Sequence, residues 1–417
     1  MKNSSGPVRQ FPLAEQALED FRTARPTEVP DFRDTVSTFR HLSDARLLGT
    51  RRLFRLMGNR WLTRIMGSLG LRAVEYNLPG AEWMVKNTVY QQFVGGVSLE
   101  EAIPVIEILA ERGVDSILDF GAEGKATERG RDDALEESLR AVEFAASTDS
   151  VIGAVVKLTS IIPFELLEQL NDTTIDFENI TDDKLKKGLE RLDRICRLGR
   201  ERGSEVYIDA EESWIQHSID QICERMMSRY NCEKHTVFTT CQMYRHDRLD
   251  FLKTSHLRAR QDGYKLALKV VRGAYMVKER KRAEATGKPS PIQPTIEATH
   301  RDYDAAIAYC VEHHDEIACC LASHNEASTV KLIRAMQEKG IRCDHPNLRF
   351  SQLLGMSGNL TFNLAEAGYN VSKYMVYGPV KDVFPYLLRR AQENTSVTGE
   401  SGRELSMLDQ EVRRRGL

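Results

Sequence analysis

The chain of 417 residues lacks the features that most quickly assign a protein to a class. Its eight cysteines (Cys196, Cys223, Cys232, Cys241, Cys310, Cys319, Cys320 and Cys343) include no Cys-x-x-Cys pair. That argues against a zinc knuckle or a secreted disulfide framework, and for reduced thiols in a cytosol-like compartment. Cys319-Cys320 sits in an apolar run, where core packing is the expected role. Neither sign of charge dominates: 58 basic and 61 acidic side chains leave a net −3, which excludes a chain-wide nucleic-acid footprint. No apolar stretch is long enough to span a bilayer, and the N-terminus has no signal-peptide core. Glu15, Glu19 and Asp20 also weigh against a transit peptide. The chain therefore reads as soluble, or at most peripheral to a membrane. No Gly-x-Gly-x-x-Gly turn follows the first strand-like run; the nearest candidate, Gly121-Ala-Glu-Gly124, has the wrong spacing for an open dinucleotide-binding sheet.

What is present is an alternation. Short β-branched or apolar runs occur at Ser116–Phe120, Val151–Leu158, Val206–Asp209, Thr236–Gln242, Leu266–Val271, Ile317–Ser323, Leu348–Leu353 and Tyr374–Tyr377. Charged stretches with helical spacing separate most of them, among them Asp133–Ala146, Asp182–Arg202, Trp214–Tyr230, Thr295–His313 and Glu326–Lys339. Met356–Gly368 is the shortest such connection, and a last helix over Pro385–Asn394 follows the eighth run. Alternating strands and helices imply a parallel sheet covered by helices, and eight units in this span match an α/β fold of the (β/α)8 TIM-barrel type with additional N-terminal helices. The expected domain plan is a flexible polar lead-in over 1–40 and a helical region over 41–110. A catalytic barrel over 111–396 and a polar C-terminal tail over 397–417 complete it. Residues 45–74 stand out, with seven arginines and no acid interleaved with Leu53, Phe54, Leu56, Trp61, Leu62, Ile65 and Leu69. Two roles fit that basic amphipathic pattern: a helix packed on the protein with a solvated arginine face, or a membrane-surface contact.

A barrel gathers its functional side chains at the C-terminal ends of its strands. Lys157 ends the second run, Asp209 the third and Gln242 the fourth. Arg272-Gly273-Ala274-Tyr275 follows the fifth, Ser323-His324-Asn325 ends the sixth, Gly355 follows the seventh, and Tyr374 and Tyr377 lie on the eighth. A lone lysine or histidine there is ordinarily a surface or hydrogen-bonded structural residue. The convergence of polar residues from most strands on one rim points to a pocket. Asp209, Glu211, Glu212 and His324 have the right chemistry for metal ligation, yet no pair has a metal-like spacing, and no metal is expected. Arg389-Arg390 lies on the last helix, where adjacent residues diverge by about 100°. Guanidinium pairs suit a carboxylate or phosphate, although an exposed basic turn or an Arg389–Glu393 ion pair has the same sequence signature.

Several ordered motifs resemble the proline dehydrogenase family in its single-function, eukaryote-like form, over about residues 80 to 396. They are Phe93-Val-Gly-Gly96, Ser116-Ile-Leu-Asp-Phe120, Val156-Lys-Leu-Thr159, Ile208-Asp-Ala-Glu-Glu212, Thr240-Cys-Gln-Met-Tyr244 and Val271-Arg-Gly-Ala-Tyr275 with Lys278-Glu-Arg280. Ser323-His-Asn325, Gln352-Leu-Leu-Gly-Met356, Lys373-Tyr374 through Tyr377-Gly-Pro-Val380 and Tyr386-Leu-Leu-Arg-Arg390 continue the set. The resemblance implies FAD at the barrel mouth and hydride transfer from the ring of L-proline to flavin N5, giving 1-pyrroline-5-carboxylate in proline catabolism. It further implies a membrane quinone as electron acceptor. By motif, Asp209, Gln242, Lys269, Arg272, Gly273, Ala274, Ser323 and His324 correspond to flavin contacts. Lys157, Arg389 and Arg390 correspond to a carboxylate clamp, with Tyr275, Leu353, Tyr374 and Tyr386 around the substrate ring; no general base is assigned.

Lys269, Arg272 and Ser323 replace arginine, lysine and threonine of bacterial relatives, keeping charge and hydroxyl. Tyr374 stands where the related hydroxyproline dehydrogenases carry serine, which favours proline over 4-hydroxyproline. The competing readings are a hydroxyproline dehydrogenase, a barrel aldolase with Lys157 as Schiff-base nucleophile, and a non-catalytic anion-binding barrel. The expected location is a bacterial cytoplasm, peripheral on the inner face of the membrane, or the matrix side of the mitochondrial inner membrane.

Overall fold

The structure is a computed structural model that describes residues 29–58, 78, 80–121, 126–395 and 400–417. Eight parallel strands close into a barrel: β1 Asp115–Phe120, β2 Val151–Val156, β3 Glu205–Ile208, β4 Val237–Gln242, β5 Leu266–Val271, β6 Ile317–Ala322, β7 Leu348–Leu353 and β8 Val371–Tyr377. Each strand pairs with the next, and β8 returns to β1 in a register that sets Tyr374 beside Ile117. The helices between them begin where the sequence offers caps. Thr127, Asp182, Thr295 and Asn325 each accept a backbone N–H at a helix start with their side chains. Asn325, part of a rim motif, thus also anchors the helix Glu326–Glu338.

Strand side chains alternate between the lumen and the helical shell. Ile117, Val155, Tyr207, Phe238, Ala267, Ala318 and Cys320 fill the middle of the lumen. Their neighbours in sequence, such as Leu118, Val156, Ile208 and Cys319, are buried under the helices. The Cys319-Cys320 pair is therefore split by the alternation, one thiol outward and one inward, both in packing roles. All eight cysteines are free.

Before the barrel come the helices Thr35–Phe39, Asp44–Met57 and Leu99–Ala110, with a short helical run through Ala81–Val85, Lys86–Tyr90 and Gln91–Phe93 between the last two. Of the lead-in, residues 1–28 lie outside the described residues; Phe32 and Phe39 beyond them are buried, so 29–40 are attached to the body rather than loose. Residues 400–417, expected as a polar tail, contain the helix Glu400–Arg415, which buries Met407, Leu408 and Val412 against the helix Asp44–Met57. Its polar residues pair across the chain: Asp409 accepts from Arg51 at 2.5 Å and Arg55 at 3.0 Å, and buried Glu411 accepts from Thr35 at 2.9 Å. Of the basic stretch at 45–74, the part through Met57 has Leu47, Phe54 and Met57 buried, as a packing helix does; residues 59–74 lie outside the described residues. Among the described residues, no helix is long and apolar enough to cross a membrane.

Candidate active site

The C-terminal end of the lumen carries a buried charge network. Period-2 alternation raises Asp119 from β1, Lys157 from the end of β2, Asp209 from the end of β3, Lys269 from β5 and Tyr374 from β8 into one layer above Ile117 and Val155. Lys157 Nζ donates to Asp119 Oδ1 at 2.6 Å, Lys269 Nζ pairs with Asp209, and Tyr374 Oη donates to Asp209 Oδ2 at 2.8 Å. The Lys269 ammonium also lies 4.7 Å from the centre of the Tyr374 ring. Burial works to lower the Lys157 pKa, but Asp119 and Asp209 outweigh it and hold the ammonium charged. A charged ammonium cannot attack a carbonyl, which weakens the Schiff-base reading. Burial raises both carboxyls in the same way. With Lys269 and Lys157 beside it, Asp209 is nevertheless pulled below its ordinary value, whereas Asp119 stays above.

Beside this layer opens a cavity of about 470 Å³ whose wall includes Lys157, Thr159, Glu211, Tyr275 and Arg389. Thr159 donates its N–H (3.2 Å) and its hydroxyl (2.6 Å) to Glu211. Burial pushes the Glu211 carboxyl up to about 7 despite those bonds. Tyr275 caps the start of the helix Met276–Thr286. That helix is fixed by buried Glu279, which accepts both the N–H (2.7 Å) and the hydroxyl (2.6 Å) of Ser213. Arg389 reaches this wall from the helix Val380–Thr395, while its neighbour Arg390 is buried and lies 5.3 Å from the Tyr386 ring centre. The two arginines thus diverge, as helical geometry requires.

The remaining rim residues form a strip from β4 to β7. Gln242 accepts from the Ala274 N–H at 3.2 Å and donates to the Glu211 carbonyl at 2.8 Å. Gly273, at φ +132°, has its backbone against the Tyr244 ring, where a Cβ would collide. Arg272 donates to His300 Nδ1 (2.9 Å), Ser323 Oγ (2.6 Å) and Ser328 Oγ (2.8 Å), and its guanidinium lies 4.1 Å from the Tyr303 ring centre. His324 Nδ1 is 2.9 Å from Ser357 Oγ. Burial, with Lys373, Arg390 and Arg272 nearby, lowers its pKa to about 3 and keeps it neutral. Lys373 points out of the lumen and donates to the Met356 carbonyl at 2.6 Å and the Leu353 carbonyl at 3.3 Å, fixing the turn after β7.

Of the residues singled out from sequence, Lys157, Tyr275 and Arg389 share the cavity wall; Leu353, Tyr374, Tyr386 and Arg390 stand outside that wall. Asp209, Lys269 and Tyr374 form one hydrogen-bonded group, Arg272 and Ser323 a second, Gln242 and Ala274 a third. Sequence reasoning assigned no role to Asp119 or Thr159, and weighed Glu211 as a metal ligand. Asp119 had a signal: an acid four residues after Asp115 in an apolar strand falls on the same face.

A family model described as proline dehydrogenase matches residues 102–403. A mitochondrial proline dehydrogenase 1 of Dictyostelium discoideum is 30% identical over 377 residues, covering 80% of this chain and 66% of that protein. The carbapenem antibiotics biosynthesis protein CarD of Pectobacterium carotovorum is 32% identical over 336 residues, covering 81% of this chain and 86% of that one. The crystal structure of proline utilization A from Bdellovibrio bacteriovorus, inactivated by N-propargylglycine, superposes with a TM-score of 0.69 at 20% identity. It covers 92% of this chain and 41% of that one. The chain spans less than two thirds of the length of several curated relatives it matches. The family match covers all eight strands of the barrel and the helix that carries Arg389 and Arg390, and this chain belongs to the proline dehydrogenase family.

Proposed function

We propose that the chain oxidises L-proline to 1-pyrroline-5-carboxylate with FAD bound at the barrel mouth. The observation that carries this reading is the cavity in which Lys157 and Arg389 bring two cations to one wall beside the Tyr275 ring. That is the complement of a small amino acid with a carboxylate and an apolar ring. The rim fits a flavin dinucleotide. Gly273 and Ala274 expose backbone for close approach, and Lys269, Arg272, Ser323 and His324 supply donors alongside Gln242. Bound there, the flavin supplies the hydride acceptor. The chain's own contribution is to position and to exclude: Arg389 and Lys157 hold the carboxylate, and Tyr275 covers the ring. Leu353, Tyr374, Tyr386 and Arg390 build the surrounding shell. Since hydride leaves only a neutral amine, the rate should rise with pH.

Relatives from Dictyostelium and Arabidopsis carry mitochondrial names; for this chain we propose a membrane quinone as the final acceptor and peripheral contact with the membrane that holds it. Arg51 and Arg55 are engaged by Asp409, so such contact falls to other parts of the 45–74 stretch.

The deciding experiment is the visible spectrum of the purified protein. A yellow protein bleached by L-proline more readily than by 4-hydroxyproline, reoxidised by a quinone analogue in vesicles and inactivated by N-propargylglycine supports the reading. A colourless protein, or a flavin that proline cannot bleach, refutes it.

A further inference from the structure

The opposite face of the barrel, where the strands begin, holds a cluster that the proposed oxidation does not use. The loop entering β6 carries His314 and Asp315, and the loop entering the adjacent β7 carries His345. His314 Nε2 lies 3.6 Å from Asp315 Oδ1, His345 Nε2 lies 4.0 Å from the same oxygen, and the two imidazole centres are 4.9 Å apart. All three ligand atoms fall within 4.8 Å of one another.

The proton count at His314 is informative. Its Nδ1 is 3.0 Å from the Val311 carbonyl, which only accepts, so Nδ1 carries the hydrogen and Nε2 of the neutral ring is a bare lone pair. That nitrogen faces a carboxylate oxygen across 3.6 Å, an arrangement that a cation bridging the two would satisfy. A tetrahedral ion with bonds of about 2.0–2.1 Å sets its ligand atoms about 3.4 Å apart; the two imidazole–carboxylate separations are 3.6 and 4.0 Å and the third pair lies within 4.8 Å, so side-chain rotation has to close the set by at most about 1.4 Å.

The carbonyl partner of Nδ1 is also the outer contact that orients a metal-binding imidazole. The scaffold is rigid without an ion. Asn347 Nδ2 donates to the His314 carbonyl at 2.8 Å, and Asn370 Nδ2 donates to the His345 carbonyl at 2.9 Å, tying both loops to the barrel. His345 is the weaker ligand, since its Nδ1 accepts a long 3.3 Å bond from the Asn347 N–H that must yield when Nε2 binds an ion.

A second group, His256, His313 and Glu316, is less suited. Glu316 already accepts from His256 at 3.1 Å and pairs with Arg260 at 3.2 Å, which places a fixed positive charge at the site.

We propose that His314, Asp315 and His345 bind a divalent transition ion of the zinc class, with water completing the coordination, and that the ion pins the β6 and β7 entrances together. Two imidazoles with one carboxylate select such ions over magnesium or calcium. The imidazoles are mostly enclosed, with side-chain exposures of 23% and 20%, whereas Asp315 is 83% exposed and leaves the ion a path in.

The test is calorimetric titration of Zn²⁺ into the chelator-treated, full-length flavoprotein, with the thermal midpoint as second readout. One site is expected, with a raised midpoint, no response to Mg²⁺ and unchanged proline turnover. His314→Ala should weaken zinc binding by at least about a hundredfold and His345→Ala by at least about tenfold. Asp315→Asn, too exposed to disturb the fold, should also weaken it; His256→Ala should leave it intact. Undiminished zinc binding in both His314→Ala and Asp315→Asn, or its loss in His256→Ala, overturns the proposal. Because every readout but turnover is independent of the flavin, failure here leaves the oxidation reading standing, and the reverse.

Discussion

The two ends of the barrel lumen hold similar chemistry and differ in what they can do. At the strand beginnings, Glu205, Tyr207 and Arg349 form a closed group. Tyr207 donates to Glu205 at 2.5 Å, Arg349 reaches Glu205 at 3.1 Å, and Asp115 lies near enough to feel the guanidinium. At the strand ends sits the group of Asp119, Lys157, Asp209, Lys269 and Tyr374. Asp115 and Asp119 share β1, and Glu205 and Asp209 bracket β3, each pair four residues apart and so on one face. Between the ends lies an apolar layer, with Tyr207 stacked on Phe238 at 4.6 Å. Buried ion pairs alone therefore do not mark a site. The upper group differs in touching a cavity and in gaining a further cation, Arg389, from outside the sheet.

The largest test breaks the lower end. Arg349→Met takes the cationic partner from half-buried Glu205, which keeps only the Tyr207 hydroxyl, and should cost about 3 kcal/mol of stability, the lower end for a broken buried pair. Chemical unfolding should register that loss, while turnover per folded molecule stays near wild type. If turnover collapses and stability holds, the lower group belongs to the site and the comparison fails.

Arg389→Met breaks the upper end in the opposite sense. Charged hydrogen bonds contribute about 1.5–3 kcal/mol, so kcat/KM for proline should fall by about tenfold to a hundredfold. The loss should appear mainly in KM, with little change in the unfolding midpoint. A comparable loss from Arg390→Met would mean that the two guanidinium groups act together on the carboxylate, although they diverge in the structure.

How much of this contrast was legible beforehand follows from the period of the pattern. Leu266–Val271 and Leu348–Leu353 are strands as read: both are six residues long, too short for a typical helix, and each takes its place in the strand–helix alternation. Of the upper cations, Lys157 was visible because it ends a strand, whereas Lys269 lies inside one and Arg389 on a helix, and both were marked through the family motifs. Arg349 was not, since a charge inside an apolar run carries no mark of which end of a lumen it faces. Glu211 read as one of four residues with metal-ligating chemistry, and only the folded chain sets it against Thr159, which comes from another strand's loop. The helix Glu400–Arg415 escaped for a related reason. Its sequence is mostly charged, and the partners that fix it to the body, Arg51 and Arg55 for Asp409 and Thr35 for Glu411, lie more than 350 residues away.

Acid should separate the ends by a smaller amount. His324 at the upper rim has its pKa lowered to about 3, against an ordinary 6.5. As pH falls below 6.5 the unfolded chain takes up this proton and the folded chain does not, so stability declines from 6.5 down to about 3 and is unaffected above. The slope is about 1.4 kcal/mol per pH unit, or about 2 kcal/mol by pH 5. His324→Gln should remove that share of the decline in denaturant midpoints measured between pH 7 and 5. An identical decline in the variant would place the titration elsewhere, with His41, also lowered by burial, to about 4, as the next group to replace.

The smallest effect concerns what the upper end admits. Tyr374 spans the two functions of that layer: its hydroxyl donates to Asp209, and its ring lies under the Lys269 ammonium. Tyr374→Ser would open space above Ile117 and leave the Asp209–Lys269 pair in place, so the charges stay balanced while the volume beside the proposed proline site grows. A site opened by one ring should gain for a substrate bearing an extra hydroxyl relative to one without it, by about tenfold in the ratio of kcat/KM values for 4-hydroxyproline and proline. Tyr374→Phe separates the causes. It keeps the ring and deletes only the bond to Asp209, so the ratio should stay near wild type even if both activities drop. If Tyr374→Phe shifts the ratio as far as Tyr374→Ser does, the hydrogen bond sets selectivity, and the upper layer discriminates through its charge network and not through its shape.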